Sequence, residues 1–248
     1  MIKYEFPLNE RTRKLLRLEQ LFNKTQTALL SSNKYNEYNE YNIFERIFEL
    51  MQTASRTDLK VELIQEVERK VIHIKKLKRT KINDRLLIKL RNVKTGLEKA
   101  TIQPGFYFGN DKLLQEIKTR RDSPFGITSI DFPEFHYWLQ NQTTQFKKDY
   151  LTKKLSSFNP IKDAISSLLE ILRAKEKILN VSAEAGVYQK KLDPSLKIDL
   201  VTITAKKSLR SYPNISSNKY AISIHFNDVK TQNQITKTIN FKISLSSL

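Results

Sequence analysis

The strongest constraint on the fold is a change in the spacing of apolar residues near Asn180. Before this point apolar residues recur every three or four positions, which is typical of amphipathic helices. After it they alternate with polar residues, as in Tyr220–Phe226, which indicates half-buried strands. The sequence therefore predicts an α+β fold, with a multi-helix domain over 1–180 and a small antiparallel β domain over 181–248. A β unit this short is expected to pack on the helices.

Helix starts are predicted by polar residues that stand just before apolar stripes. Asn9 can cap a first helix. Asp131 stands near the cap of a later helix, and Pro133 lies in its first turn. In that helix the apolar stripe leaves His136 near the surface, because the residues expected to face the core are Phe135, Trp138 and Leu139.

The β domain is predicted from three patterns. The run Ile198–Ile203 alternates with one slip in phase, as a bulge would produce, and the run Ile235–Leu245 alternates more regularly. Tyr212–Asn214 contains a proline and is interpreted as a turn. The opening segment Ile2–Phe6 could add a strand to this domain.

One predicted helix has an unusually wide apolar stripe. It is expected to start near Ser55 and to end near Lys78, and its apolar residues are Leu59, Leu63, Ile64, Val67, Val71, Ile74 and Leu77. A helix that touches a single core needs a narrower stripe than this. We therefore expect this helix to face the core on one side and a partner subunit on the other.

Several chemical functions are excluded or disfavoured by the residues present. The chain has no cysteine, which rules out disulfides, thiolate zinc sites, iron–sulfur clusters and a cysteine nucleophile. It contains no Walker loop, dinucleotide-binding glycine motif or nucleophile elbow. The histidines, His73, His136 and His225, have no further ligand at a suitable spacing. We therefore expect no catalytic residues, no metal and no cofactor.

A membrane location is not expected either. The longest apolar runs are a few residues long, whereas a spanning helix needs roughly 18–20. The segment Met1–Pro7 contains an acid and no apolar core of a signal peptide. The cytoplasm is the expected location.

The strongest physical signal is positive charge. The chain has 44 Lys and Arg against 26 Asp and Glu, a formal net charge of +18. This excess favours an anionic partner, which can be nucleic acid, an acidic protein or anionic lipid, although a merely solvated lysine-rich surface explains it equally well. A basic nucleic-acid-binding protein is therefore one alternative. A hydrolytic enzyme is another, but no convergent set of polar groups can be named for it.

Four segments, in order along the chain, resemble the ZapD family of Z-ring-associated cell-division proteins. They lie at Tyr4–Glu19, Ser123–Leu139, Phe158–Arg173 and Tyr212–Phe226. Each motif is modest alone, but together they extend over most of the chain. The resemblance implies a non-enzymatic cytoplasmic protein with a helical domain and a β domain.

The resemblance also implies a partner and a mode of action. The family forms homodimers that bind the C-terminal tail of the tubulin-like division GTPase FtsZ at mid-cell and cross-link its filaments into bundles. At matching positions, the basic binding surface would consist of Arg17, Lys112, Arg120, Arg121 and His136. Lys112 replaces an expected arginine, and so keeps the charge but loses the planar two-pronged donor geometry. No nucleic-acid or membrane partner is expected.

Overall fold

The structure is a computed structural model that describes residues 1–31, 37–54, 57–77, 80–100, 111–121, 130–174, 177–195 and 197–247. This part of the chain contains eight α-helices and seven β-strands, so the predicted α+β class is confirmed. The chain divides into two compact units. The helical unit is Arg17–Ser167, and the β unit combines Met1–Leu16 with Leu168–Leu248. The domain limits 1–180 and 181–248 stay a prediction.

The helices have the following bounds: α1 Glu10–Ser31, α2 Glu37–Ala54, α3 Thr57–Lys76, α4 Lys81–Lys99, α5 Lys112–Arg121, α6 Pro133–Asn141, α7 Thr144–Ser156 and α8 Asn159–Ala174. The strands are β1 Ile2–Pro7, β2 Lys177–Ala183, β3 Val187–Lys191, β4 Leu200–Ala205, β5 Ser211–Ser217, β6 Ala221–Asp228 and β7 Ile239–Ser246. None of the described helices is both long enough and apolar enough to cross a bilayer.

Side-chain caps explain where several helices begin. The side-chain oxygen of Asn9 accepts a hydrogen bond from the Thr12 N–H at 2.8 Å, which confirms the predicted cap of α1. Thr80 and Thr143 cap α4 and α7 in the same way. The predicted start signal near Ser55 lies outside the described residues.

Helix α6 begins as predicted. Pro133 occupies its first turn, and Asp131 lies next to the N-cap residue, which is Phe132. The Phe132 side chain forms no cap hydrogen bond. Burial of the Phe132 ring, which is 1% exposed, anchors this helix start instead.

The β unit contains two antiparallel sheets, in the strand orders β1-β4-β7-β2 and β3-β6-β5. Ile2 pairs with Ala205 and Pro7 with Leu200, so the opening segment is a strand of the first sheet. Alternate residues of β6 face a core that also contains side chains of β4 and β7, and its members include Ile222, Ile224, Phe226, Val201, Ile203, Phe241 and Ile243. This burial on alternate positions explains the period of two in the sequence.

At the slip in phase itself, between Leu200 and Val201, the structure has no bulge. Strand β4 pairs with β1 and β7 in continuous register, without an extra residue. Leu200 and Val201 are both fully buried although neighbouring strand residues point to opposite faces. Burial of both faces of this inner strand therefore causes the slip in phase.

The predicted turn at Tyr212–Asn214 is wrong, because these residues belong to β5. Strand β5 lies at the edge of its sheet and pairs only with β6 among the described strands. Pro213 has no N–H to donate, and a sheet edge is where a proline is tolerated within a strand.

Gly186 sits in the tight turn between β2 and β3. Its φ is +74° and that of Ala185 is +47°, the two positive values that a type I′ hairpin turn requires. A Cβ at Gly186 would lie 2.2 Å from the carbonyl oxygen of Ile235. No side chain fits here unless the backbone near Ile235 moves.

We expect Gly186→Ala to lower the free energy of unfolding by about 2 kcal/mol or more, from backbone strain together with this clash. Gly96→Ala is the matched control, because Gly96 is inside α4 with no atom near its Cβ position. That control should stabilise the chain by about 0.5–1 kcal/mol. Urea unfolding followed by circular dichroism measures both, and an equally stable Gly186→Ala variant would contradict the assignment.

An aromatic cluster forms the centre of the helical unit between α2, α6 and α7. Phe44 contacts Phe135 and Trp138 edge to face, each with 5.6 Å between ring centroids. Tyr150 packs on Trp138 at 5.7 Å. Phe135, Trp138 and Leu139 are all buried, so their predicted inward orientation is confirmed.

Candidate functional site

Helix α5 carries three of the five predicted binding residues, and Asp111 fixes its start. One carboxylate oxygen of Asp111 accepts a hydrogen bond from the Leu114 N–H at 3.1 Å and so caps the helix. The other accepts hydrogen bonds from the Tyr150 hydroxyl at 2.7 Å and from the Lys154 ammonium at 2.6 Å. Asp111 therefore ties α5 to α7. This role was not predicted from the sequence, in which the one sign of a cap is the position of Asp111 just before an apolar stripe.

The surroundings of Asp111 favour its charged form. Burial by itself would raise the pKa of this carboxyl, but hydrogen bonds from Lys154, Tyr150 and the Leu114 N–H outweigh it and hold the pKa below its ordinary value. Burial and the hydrogen bond to Asp111 raise the pKa of the Tyr150 hydroxyl, which therefore remains a proton donor.

We expect Asp111→Asn to lower the stability at pH 7 by about 1–2 kcal/mol, because Lys154 loses its counter-charge. Since the folded-state pKa of Asp111 is lowered, the stabilisation is complete above the unfolded-state pKa and is lost as pH falls through the folded-state value. The difference in the free energy of unfolding between the wild-type protein and Asp111→Asn should therefore be smaller at pH 3 than at pH 7. Urea unfolding at both pH values measures it, and a constant difference would contradict the role of the charge.

Lys112 is the first residue of α5, and its side chain is 77% exposed. Its ammonium lies 3.3 Å from the carboxylate of Glu134 on α6 and 3.9 Å from that of Glu116. Pairs this exposed contribute little to stability. The ammonium can therefore exchange these partners for an incoming carboxylate at little cost.

Arg120 holds α5 against the start of α6. Its guanidinium donates a hydrogen bond to the Asp131 carbonyl oxygen at 2.7 Å and lies 4.9 Å from the centroid of the Phe132 ring. These two contacts hold the guanidinium in place and leave further N–H groups to bind an anion.

Arg121 points to another part of the helical unit. Its Nε donates to a carboxylate oxygen of Glu45 on α2 at 2.9 Å, and the two side chains are 29% and 26% exposed. Its guanidinium lies 6.0 Å from the centroid of the Phe48 ring. Burial is the main cause of a raised pKa of the Tyr41 hydroxyl, and the adjacent Glu45 carboxylate raises it further. The positive charge of Arg121 opposes this shift. Arg121 thus serves the packing of α5 on α2.

His136 lies on the exposed side of α6, as predicted from the apolar stripe. It is two residues from Glu134, so the two side chains point in different directions around the helix. The neighbouring Tyr137 is 63% exposed. This solvated aromatic side chain was not among the predicted binding residues, although its position off the buried stripe follows from the same spacing.

Arg17 is exposed on α1. Its side chain forms no hydrogen bond or ion pair with any residue that the structure describes. The structure therefore places Lys112, Arg120 and His136 on two contacting helices, α5 and α6, and directs Arg121 toward α2. No hydrogen bond or ion pair among the described residues links Arg17 to these four. The part of the second resembling segment at Ser123–Gly126 lies outside the described residues.

The arrangement offers cationic and aromatic groups for binding an anionic surface. Within the described ranges, no group of three or more His, Asp or Glu side chains is placed to hold a metal ion. The charge of Lys112 is partly offset by Glu116 and Glu134. An acidic partner must therefore compete with these carboxylates, which favours binding that weakens with salt.

Known proteins match this chain over most of its length. The ZapD family model, described as a cell division protein, matches residues 16–225. The chain is 32% identical over 231 residues to cell division protein ZapD of Azoarcus sp. strain BH72, covering 91% of this chain and 90% of that protein. It is 31% identical to the protein of the same name from Dechloromonas aromatica, with the same coverage.

The match to cell division protein ZapD of Nitrosomonas europaea extends over 100% of this chain and 96% of that protein, at 30% identity. The matched residues include α5 and α6 of the helical unit and most strands of the β unit. The chain therefore belongs to the ZapD family of cell division proteins.

Proposed function

We propose that this protein binds the C-terminal tail of FtsZ and, as a homodimer, cross-links FtsZ filaments at the mid-cell division site in the cytoplasm. It acts without catalysis and without a cofactor. The observation that carries the proposal is the set of exposed basic residues in the helical unit: Arg17, Lys112 and His136 are solvent-facing in a chain with a net charge of +18.

The charge supports binding to an acidic polymer. Long-range attraction brings a basic protein to an acidic filament, and short-range contacts then select the binding segment. Arg120 offers a stacked guanidinium for one acidic group, and Lys112 offers an exposed ammonium for another. Each contact is weak, but many along one filament add up to strong avidity.

Cross-linking requires two binding sites that face different filaments, and a two-fold symmetric dimer has them. We assign the contact between subunits to the exposed side of α3. Val61 and Ile72 are 54% and 55% exposed there and are separated by eleven residues, or three helical turns. Two large apolar side chains on one solvent-facing stripe are what a helix that packs against a second subunit presents.

Light scattering of FtsZ polymerised with GTP tests the proposal. Adding the protein should increase scattering strongly at low ionic strength and progressively less as salt is raised. Removing GTP should abolish the increase, because no filaments are present. Unchanged scattering at every salt concentration would contradict the proposal. Binding to duplex DNA that survives physiological salt would favour the nucleic-acid alternative instead.

A further inference from the structure

A groove with a volume of about 500 Å³ lies between the end of α3 and the start of α4. Its apolar lining is provided by Ile74 of α3, by Leu77 directly after α3, and by Leu87 and Ile88 of α4. Ile74 is buried, whereas Leu77 and Ile88 are 42% and 59% exposed. The groove therefore has a closed apolar base and open apolar walls. It contains none of the five residues of the proposed FtsZ-binding surface.

The rim of this α3–α4 groove is cationic. Lys75 and Arg91 line it, both are exposed, and neither forms a hydrogen bond or ion pair with a described residue. Asp84 also lines the groove. The balance is nevertheless basic, because α4 carries six Lys and Arg against two Asp and Glu.

We propose that the α3–α4 groove binds an acidic peptide segment of a partner protein, with one apolar side chain inserted between the helices. The carboxylates of the segment would pair with Lys75 and Arg91, and the apolar side chain would cover Leu77 and Ile88. This site is separate from the proposed FtsZ-binding surface and goes beyond the proposed function.

The shape and lining of the groove favour a peptide over other anions. A bilayer surface is flat on this scale and cannot fill a concave site. Single-stranded nucleic acid is held in part by stacking of its bases on aromatic side chains, and the described residues that line the groove include none. An acidic peptide supplies both the negative charge and the apolar side chain that the groove can bury.

Fluorescence anisotropy of a labelled twelve-residue peptide in which Asp and Glu alternate with Leu and Phe tests this proposal on the full chain. Ile88→Ser and Arg91→Glu alter the groove. Ile82→Ser and Arg85→Glu are matched controls, because both residues are exposed on α4 outside the groove lining. All four side chains are solvent-facing, so folding should be preserved, and thermal unfolding verifies this.

We expect saturable binding that each groove variant weakens at least about tenfold and each control variant less than about twofold. A peptide with Ser in place of Leu and Phe should bind at least about tenfold more weakly than the original. The proposal is overturned if the groove and control variants lose peptide affinity equally. It is also overturned if the serine peptide binds as tightly as the original, or if binding does not saturate. Binding to phosphatidylglycerol vesicles without binding to the peptide would assign the groove to lipid and overturn it too.

Discussion

Replacing Arg17 by Glu is expected to abolish co-sedimentation with FtsZ filaments while the protein remains a folded dimer. The guanidinium of Arg17 has no hydrogen-bond or ion-pair partner among the described residues, so its loss removes no such internal interaction. A glutamate at this exposed position would face an acidic partner, and like charges across an interface cost several kcal/mol. Sedimentation with GTP-polymerised FtsZ measures binding, and analytical ultracentrifugation of the protein alone measures the dimer.

Lys24→Glu is the matched control for Arg17→Glu. Lys24 is exposed on the same helix, two turns further along, and the substitution changes the net charge by the same amount. If general attraction alone held the protein to the filament, the two variants would lose equal binding. Undiminished bundling by Arg17→Glu would exclude Arg17 from the binding surface.

A charge reversal at Arg121 is also expected to abolish co-sedimentation, because the resemblance places Arg121 in the binding surface, but the structure adds a second effect there. Arg121→Glu would place a carboxylate beside that of Glu45, in a site where the two side chains are less than one-third exposed. We expect a loss of roughly 1–3 kcal/mol of stability. Lost binding by this variant therefore identifies a binding residue only if the unfolding midpoint is retained, whereas Arg17→Glu carries no such ambiguity.

The partners of the candidate site residues depend on long-range contacts that the sequence pattern does not contain. Arg121 and Glu45 are 76 positions apart, and Lys112 and Glu134 are 22 apart. The resemblance placed the five residues in one surface by family position alone. Only the packing of α5 against α2 and α6 shows that Arg121 has a structural partner and that Lys112 remains exposed.

Much of the fold could be predicted because buried residues recur along the sequence with the period of the helix or strand that they belong to. The stripe in α6 and the alternation in β6 are examples, since every second residue from Ile222 to Phe226 is buried.

Helix α7 was not predicted, and the reason is visible in its core positions. Lys147 is 4% exposed there, donates to the Leu139 carbonyl and lies 5.5 Å from the centroid of the Trp138 ring. A buried lysine interrupts the apolar pattern on which such predictions depend.

Replacing Ile72 by Glu is expected to convert the dimer to a monomer that binds FtsZ but no longer bundles it. The side chain of Ile72 is 55% exposed, so the substitution should leave the fold of the subunit intact. In the proposed interface it would bury a charge without a partner, and this cost is large compared with the stability of a typical helix–helix contact. Analytical ultracentrifugation should show half the dimer mass.

The control for Ile72→Glu is Ile178→Glu, the same substitution at a residue that is 59% exposed in the β unit. It should preserve both the dimer and the scattering increase. A dimeric Ile72→Glu protein would exclude the exposed side of α3 as the interface. A monomer that still bundles filaments would exclude dimerisation as the cause of bundling, and would point to two filament-binding sites on one chain.

The charge distribution along α3 gives an independent reason to expect this pairing. Acidic residues are more frequent than basic ones in the first half of the helix, including the exposed Glu62, whereas the second half is basic and includes the exposed Lys76. Two copies of α3 related by a two-fold axis can run antiparallel, so that the acidic half of each faces the basic half of the other. Val61 of one copy would then approach Ile72 of the other. Loss of the dimer at high salt as well as in Ile72→Glu would show that charge and apolar contacts both contribute.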